Sequence, residues 1–145
     1  MLYSVIIPVH NEKEFIRKMV KSLLIQTIKP IEIVIIDDNS TDGTKEFLSD
    51  LKQSDERLDI HLNSETVSKS DNWNRAFSQA KKCDFLVNLH SDDYMYKNCL
   101  EDLSKGINQN TVLIHGANFQ ESPSGNLQHR KLSFPFKSTC SGDEH

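Results

Sequence analysis

Glycine, cysteine and long apolar runs are all scarce in this chain, and each scarcity removes a class of function. The five glycines among its 145 residues never form Gly-x-Gly-x-x-Gly after the first strand-like run, Gly-x-x-x-x-Gly-Lys-Ser/Thr, or Gly-x-Ser-x-Gly. A dinucleotide fingerprint, a P-loop and a hydrolase nucleophile elbow are therefore missing. Cys83, Cys99 and Cys140 are odd in number and lack metal-knuckle or redox spacing, which argues for incidental thiols and a reducing, cytoplasmic location. The longest apolar runs, Val5-Ile6-Ile7 and Ile33-Val34-Ile35-Ile36, fall far short of the roughly 20 residues that span a bilayer, so no transmembrane segment is expected. Met1 leads straight into that first run without a basic and apolar leader, so no secretory signal is expected either.

Charge imbalance is also small. The formal net charge is -4 and the pI is near 5.8, with Lys and Arg only in short helical pairs. Binding a phosphate backbone needs those residues clustered, so nucleic acid is not an expected partner. A composition of 37% hydrophobic and 26% charged residues is ordinary for one globular domain, and no internal repeat or low-complexity stretch interrupts it.

What is present is alternation. A β-branched run over 3–9 reads as a first strand, and Asn11-Glu12-Lys13-Glu14 then reads as a capping box, Asn11 accepting from backbone amides and Glu14 reaching back. Phe15, Ile16, Met19, Val20, Leu23 and Leu24 recur at helical spacing, with Lys29-Pro30 as the stop. A second strand over 31–36 leads to a helix capped by Ser40 or Thr41, with Phe47, Leu48 and Leu51 as its apolar side. An outer strand follows over 58–62, then a helix with Trp73, Ala76, Phe77 and Ala80 inward, and a buried strand over 84–89. A helix through Cys99, Leu100, Leu103 and Ile107 and a strand over 111–115 complete the order. Strands alternating with helices in this way predict an α/β fold, a Rossmann-like, doubly wound and mostly parallel sheet. Beyond Gly116 the pattern changes: residues 121–126 form a turn cluster suited to a hairpin, and the chain from Ser133 onward reads as loose tail.

Asp37-Asp38 and Asp92-Asp93 follow the ends of two of these strands, and ligands of open α/β sheets bind outside the carboxyl ends of strands. One such acid can accept from a base or ribose, and another can hold Mg²⁺ or Mn²⁺ against a pyrophosphate. The plain alternative, helix capping or turn building, suits Asp42 and Asp71; Asp38 and Asp92 are read as functional. The Asp-Asn-Ser-Thr-Asp-Gly run is no EF-hand loop, because it follows a strand and lacks the alternating ligand spacing.

Taken together, the runs 4–12 (SVIIPVHNE), 34–44 (VIIDDNSTDGT), 72–76 (NWNRA) and 89–94 (LHSDDY) resemble family 2 glycosyltransferases of the GT-A fold. The resemblance covers about the first 105 residues. It implies that Pro8, His10 and Asp38 line a uridine-type pocket, with Glu12 in the same turn, and that Asn74 and a basic residue, here Lys69, approach the donor. It further implies that Asp92 ligates Mg²⁺ or Mn²⁺, with Asp93 as a second candidate. His90 departs from the family's Asp-x-Asp and stands where an acid usually contacts ribose; packing is the alternative role for His90, and equally for Trp73 and Asn74.

On this resemblance residues 1–116 form the nucleotide-sugar-binding domain, and 117–145 the start of an acceptor region or a loose tail. The implied reaction is metal-dependent transfer from a nucleotide sugar, UDP-linked, to a saccharide or lipid-linked acceptor hydroxyl with inversion, in bacterial polysaccharide synthesis. The implied catalytic base lies well beyond the metal motif; neither Glu121 nor Asp143-Glu144 is assigned to it, and the chain reads as truncated at its C-terminus. A donor-binding module without transfer activity is the alternative. A receiver-like phosphoacceptor domain fits less well, because the first strand ends in Pro8-Val9-His10 rather than an acidic pair.

Overall fold

The computed structural model describes residues 1–81 and 83–111, and the backbone of 119–121 and 127–129. The chain divides into two compact units, Met1–Leu100 and Glu101–His145. The elements run β1 (Tyr3–Val9), α1 (Ile16–Leu24), β2 (Glu32–Asp37), α2 (Thr44–Leu51), β3 (Leu58–Leu62), α3 (Lys69–Gln79), β4 (Phe85–Asn88), α4 (Cys99–Lys105), β5 (Phe119–Glu121) and β6 (Leu127–His129).

The first unit is built on a four-stranded sheet in the order β3-β2-β1-β4, parallel throughout. The β-branched runs of β1 and β2 are buried along almost their whole length, as strands covered on both faces must be. Ile6, Val34 and Ile36 share one face and pack against Ala76 of α3, with Trp73 and Ala80 alongside. By the two-residue period of a strand, Val5, Ile7, Ile33 and Ile35, all fully buried, point to the other face. Each such Ile or Val contributes about 1.5–3 kcal/mol relative to exposure. The chain moves outward from β1 to β2 to β3 and then jumps back to β4 on the far side of β1. The winding therefore reverses between β1 and β4, and the crevice beyond their carboxyl ends is where a doubly wound sheet takes its ligand.

Several local expectations give way to longer-range bonds. Asn11 is not a helix cap: it sits in the left-handed region at φ 56°, and its Oδ1 accepts from the Thr41 amide at 2.8 Å across to the next loop. Helix α1 begins at Ile16 after Phe15, with no side-chain cap, and Phe15 itself is 47% exposed. It ends at Leu24, before Lys29-Pro30. The buried Gln26 side chain takes over there, donating to Ser22 O and Tyr96 O and accepting from the Leu100 amide.

Neither Ser40 nor Thr41 caps α2. The N-cap is Gly43 at φ 101°, a conformation that favours glycine, while Ser40 Oγ accepts from the Asn11 amide. Strand β3 lies at the sheet edge as expected. Strand β4, expected to be buried, alternates half-buried and exposed residues because β1 is its only described neighbour. Phe77 likewise lies 45% exposed, and Asn72 takes a buried position on α3 instead. In the second unit β5 and β6 pair antiparallel, the hairpin that the turn cluster implies. The strand expected over 111–115, the boundary at 116 and the tail beyond Ser133 lie outside the described residues.

Candidate functional site

Strand β1 delivers Pro8 and His10 to the crevice. Leu89 N donates to Ile6 O and Asp38 N to Val9 O, so the backbone N–H and C=O groups of even-numbered β1 residues point toward β4 and those of odd-numbered ones toward β2. The Pro8 nitrogen therefore points to the β4 side, beyond the last β1–β4 pair, Ile6 with Asn88, where no ladder bond needs its missing N–H. His10 is exposed, and its Nδ1 lies 2.8 Å from Asp38 O. A carbonyl only accepts, so Nδ1 carries the proton; Nε2 is left to accept from Asn11 Nδ2 at 3.1 Å. The two bonds orient the ring.

Strand β2 ends in two acids with different duties. Asp37 is fully buried; its Oδ2 accepts from the Ser40 amide at 3.0 Å and shapes the turn. Asp38 is 6% exposed, and its Oδ1 accepts from the Val67 amide at 2.9 Å and from Asn63 Nδ2 at 3.2 Å. Asn63 Nδ2 also donates to Asn72 Oδ1 at 3.2 Å, and Asn72 Nδ2 donates to Ile36 O at 3.3 Å. Lys45 of α2 ties the same corner, donating to Asn39 Oδ1 and to Asn63 O.

A second group gathers where β1 and β4 end. Glu12 is held by its amide, which donates to Thr44 Oγ1 at 2.9 Å, and its carboxylate is hydrogen-bonded by the Ser91 side chain. Burial, and then the Asp92 carboxylate, push the Glu12 carboxyl above its usual range; Asp42 adds to the push, while the Ser91 bond and His10 oppose it. Asp92, Asp93 and His90 are exposed, in a turn where Asp93 N donates to His90 O at 3.1 Å. The His90 ring meets Trp73 edge-on, 5.8 Å between centroids. A shallow hollow of about 330 Å³ beside this group is lined by Asn11, Glu12, Lys13, Glu14, Phe15 and Asp42.

The fold thus brings His10 to Asp38, and Glu12 to Ser91 and Asp92. Lys69, the first residue of α3, and Asn74 are exposed and join neither group through a described bond. Asn63 and Asn72 are members that the sequence reading missed. Asn72 carried a signal: it lies four residues before Ala76, a polar residue at an apolar-stripe position. Asn63 follows β3 with nothing to mark it.

A parallel sheet with acids after β2 and β4 is common to many α/β folds, and comparison decides among them. Residues 4–143 match the model of Glycosyl transferase family 2. The chain belongs to that family. A Campylobacter jejuni GalNAc(5)-diNAcBac-PP-undecaprenol beta-1,3-glucosyltransferase is 32% identical over 114 residues, covering 78% of this chain and 37% of the relative. Bacillus subtilis TuaG, a putative teichuronic acid biosynthesis glycosyltransferase, is 35% identical over 100 residues, covering 69% of this chain and 39% of the relative. The chain therefore spans under two-fifths of the length of both relatives. Among solved structures, S. aureus TarS 1-349 in complex with UDP superposes with a TM-score of 0.62 at 29% identity, over 72% of this chain and 31% of that one. The mannosyltransferase PcManGT from Pyrobaculum calidifontis, in complex with GDP-Man and Mn²⁺, gives 0.55 at 26% identity, over 63% and 28%. The parallel sheet with flanking helices is the GT-A type of these glycosyltransferases, as the four sequence motifs imply.

Proposed function

We propose that this chain is the donor-binding part of a glycosyltransferase that takes a UDP-sugar and passes the sugar, with inversion, to a hydroxyl of a saccharide or lipid-linked acceptor. The observation that carries this reading is that two differently built acid sites lie along the carboxyl ends of one parallel sheet: Asp38 after β2, in a fixed network of donors, and Glu12 with Asp92 beyond β1 and β4, where the Asp92 charge raises the Glu12 carboxyl. In this reading residues 1–116 bind the donor and 117–145 begin the acceptor region. Asp38 accepts from the base, Pro8 and His10 flank it, and His90 replaces an acid near the ribose. Lys69 and Asn74 remain candidates for further donor contacts from α3.

The residues beyond β4 suit a hard divalent cation. Glu12 and Asp92 are hard oxygen donors, and the charge of Asp92 raises the Glu12 carboxyl, an opposition that a bound cation would relieve. Among the described residues no three His, Cys, Asp or Glu side chains converge on one point, so Asp92, with Asp93 or Glu12, would share the ion with phosphate oxygens of the donor. Mg²⁺ or Mn²⁺ held there supplies charge stabilisation to the departing diphosphate. The chain's own contribution is to orient the nucleotide so that the anomeric carbon lies open to the acceptor hydroxyl.

The TarS complexes with UDP and UDP-GlcNAc support a uridine donor, and the Mn²⁺ in PcManGT supports the cation. The undecaprenol-linked substrate in the Campylobacter jejuni relative's name supports a lipid-linked acceptor, and the TuaG name supports a role in surface polysaccharide. No helix among the described residues is long and apolar enough to cross a membrane; a cytoplasmic site of action is proposed from the thiols.

Calorimetric titration with UDP, with and without Mn²⁺, on the protein and on Asp92→Ala tests the reading. Metal-enhanced binding that the variant loses is expected. A folded protein that binds neither UDP nor other nucleoside diphosphates would overturn the donor site. Binding without turnover of any UDP-sugar would favour the second reading, a donor-binding module.

A further inference from the structure

We infer that Asn72 is a specificity-positioning residue: acting through Asn63, it sets Asp38 to offer an acceptor oxygen to the in-ring N–H of uracil, and so separates uracil from cytosine. The inference rests on the reading of Asp38 as the acid that meets the base.

The argument is one of forced orientation. Ile36 O has only lone pairs, so Asn72 must turn its Nδ2 toward it, which aims Asn72 Oδ1 at Asn63. Asn63 must then present its own Nδ2. Turned the other way, its Oδ1 would oppose Asn72 Oδ1 and Asp38 Oδ1, leaving acceptors face to face without a proton. Asn63 Nδ2 is therefore committed to Asp38 Oδ1, beside the Val67 amide that donates to the same oxygen.

With Oδ1 held by two donors, no described residue donates to Oδ2, which is the oxygen left for a ligand. Uracil carries a proton on N3, and a carboxylate oxygen accepts it. Cytosine carries a lone pair there, and the same oxygen repels it. The chain of orientation starts at a backbone carbonyl in the sheet core and ends at the base. Asn72 is only 4% exposed, so its polarity is spent inside the protein, on Ile36 O and Asn63.

The test is calorimetric titration of UDP and CDP, with Mn²⁺ throughout, on the wild-type protein, Asn72→Ala, Asn63→Ala and the double variant, each checked for a cooperative melt. The wild type is expected to prefer UDP. Each single variant should cut the UDP-to-CDP preference about tenfold, a change of about 1.4 kcal/mol. Because the two residues act in series, the double variant should lose no more than either single one, a pattern that loss of packing would not produce. Should Asn72→Ala fail to fold, Asn63→Ala, at a half-buried position, carries the same expectation. A folded Asn72→Ala or Asn63→Ala that keeps the wild-type preference would overturn the inference, as would a wild type that binds UDP and CDP alike. A wild type that binds no nucleotide overturns instead the reading of Asp38 beneath it.

Discussion

Asp38 and Asp92 stand at the ends of two strands of one sheet, yet they are built in opposite ways. Asp38 ends β2, a central strand buried along its whole length, and one of its oxygens is engaged by two donors from distant segments. Asp92 follows β4, whose residues are partly exposed; it is exposed itself, and its charge raises the Glu12 carboxyl. The first acid is held by the protein through one oxygen, and its other oxygen is left for a ligand. The second is held near like charge, where a cation and a diphosphate would complete it. A rigid acceptor selects a ligand by hydrogen-bond direction, whereas a cation site needs only charge and coordination room.

Removing each acid separates the two designs. Asp38→Ala should abolish measurable UDP binding, a loss of about 100-fold or more. It should also lower stability by about 1–3 kcal/mol, because the Val67 amide and Asn63 Nδ2 lose their acceptor. Calorimetry and urea denaturation read the two effects independently. Asp92→Ala should cost about tenfold in UDP affinity with Mn²⁺ present, and leave stability within about 0.5 kcal/mol, because the residue is exposed. A destabilisation equal to that of Asp38→Ala would erase the contrast.

The smallest effect belongs to an acid at the opposite edge of the sheet. Asp55, just before β3, is gripped by Arg57 through Nε at 2.9 Å and Nη2 at 2.8 Å, and this pairing holds its carboxyl below the usual range. The depressed value means that its stabilisation is full above the unfolded value of 3.8 and fades as pH falls through the folded one. Asp55→Asn should therefore cost about 1 kcal/mol at pH 7, progressively less below pH 3.8, and leave UDP binding unchanged. Urea midpoints across that range, with calorimetry at pH 7, check it. A change in UDP affinity would show that the two edges are not independent.

Much of the fold was legible because it is written in local periodicity. The strands at Tyr3–Val9 and Leu58–Leu62 fall where the apolar pattern puts them. Helix starts were misread where a residue with good capping chemistry is drawn off by a partner about thirty positions away, as Asn11 is by Thr41 and Ser40 by Asn11. The exposure of β4 was misread because a short apolar run looks the same in the centre and at the edge of a sheet. In the site, Asp38, His10, Glu12 and Asp92 announce themselves by motif. Asn63 and Asn72 do not, since an asparagine gains its meaning from what lies opposite its amide.

By itself the amino-acid sequence determined the alternation of strands and helices, the family, and the acids at the strand ends. These depend on side-chain period and on residue types that act over a few positions. Only the tertiary structure decided that β4 returns beside β1, that Glu12 meets Asp92, and that Ile36, Asn72, Asn63 and Asp38 form one oriented chain of hydrogen bonds. The hydrogen bonds of that chain join residues as many as 36 positions apart, and hydrogen-bond direction across such a span is set by the packing of the sheet and its helices, not by any local preference of the chain.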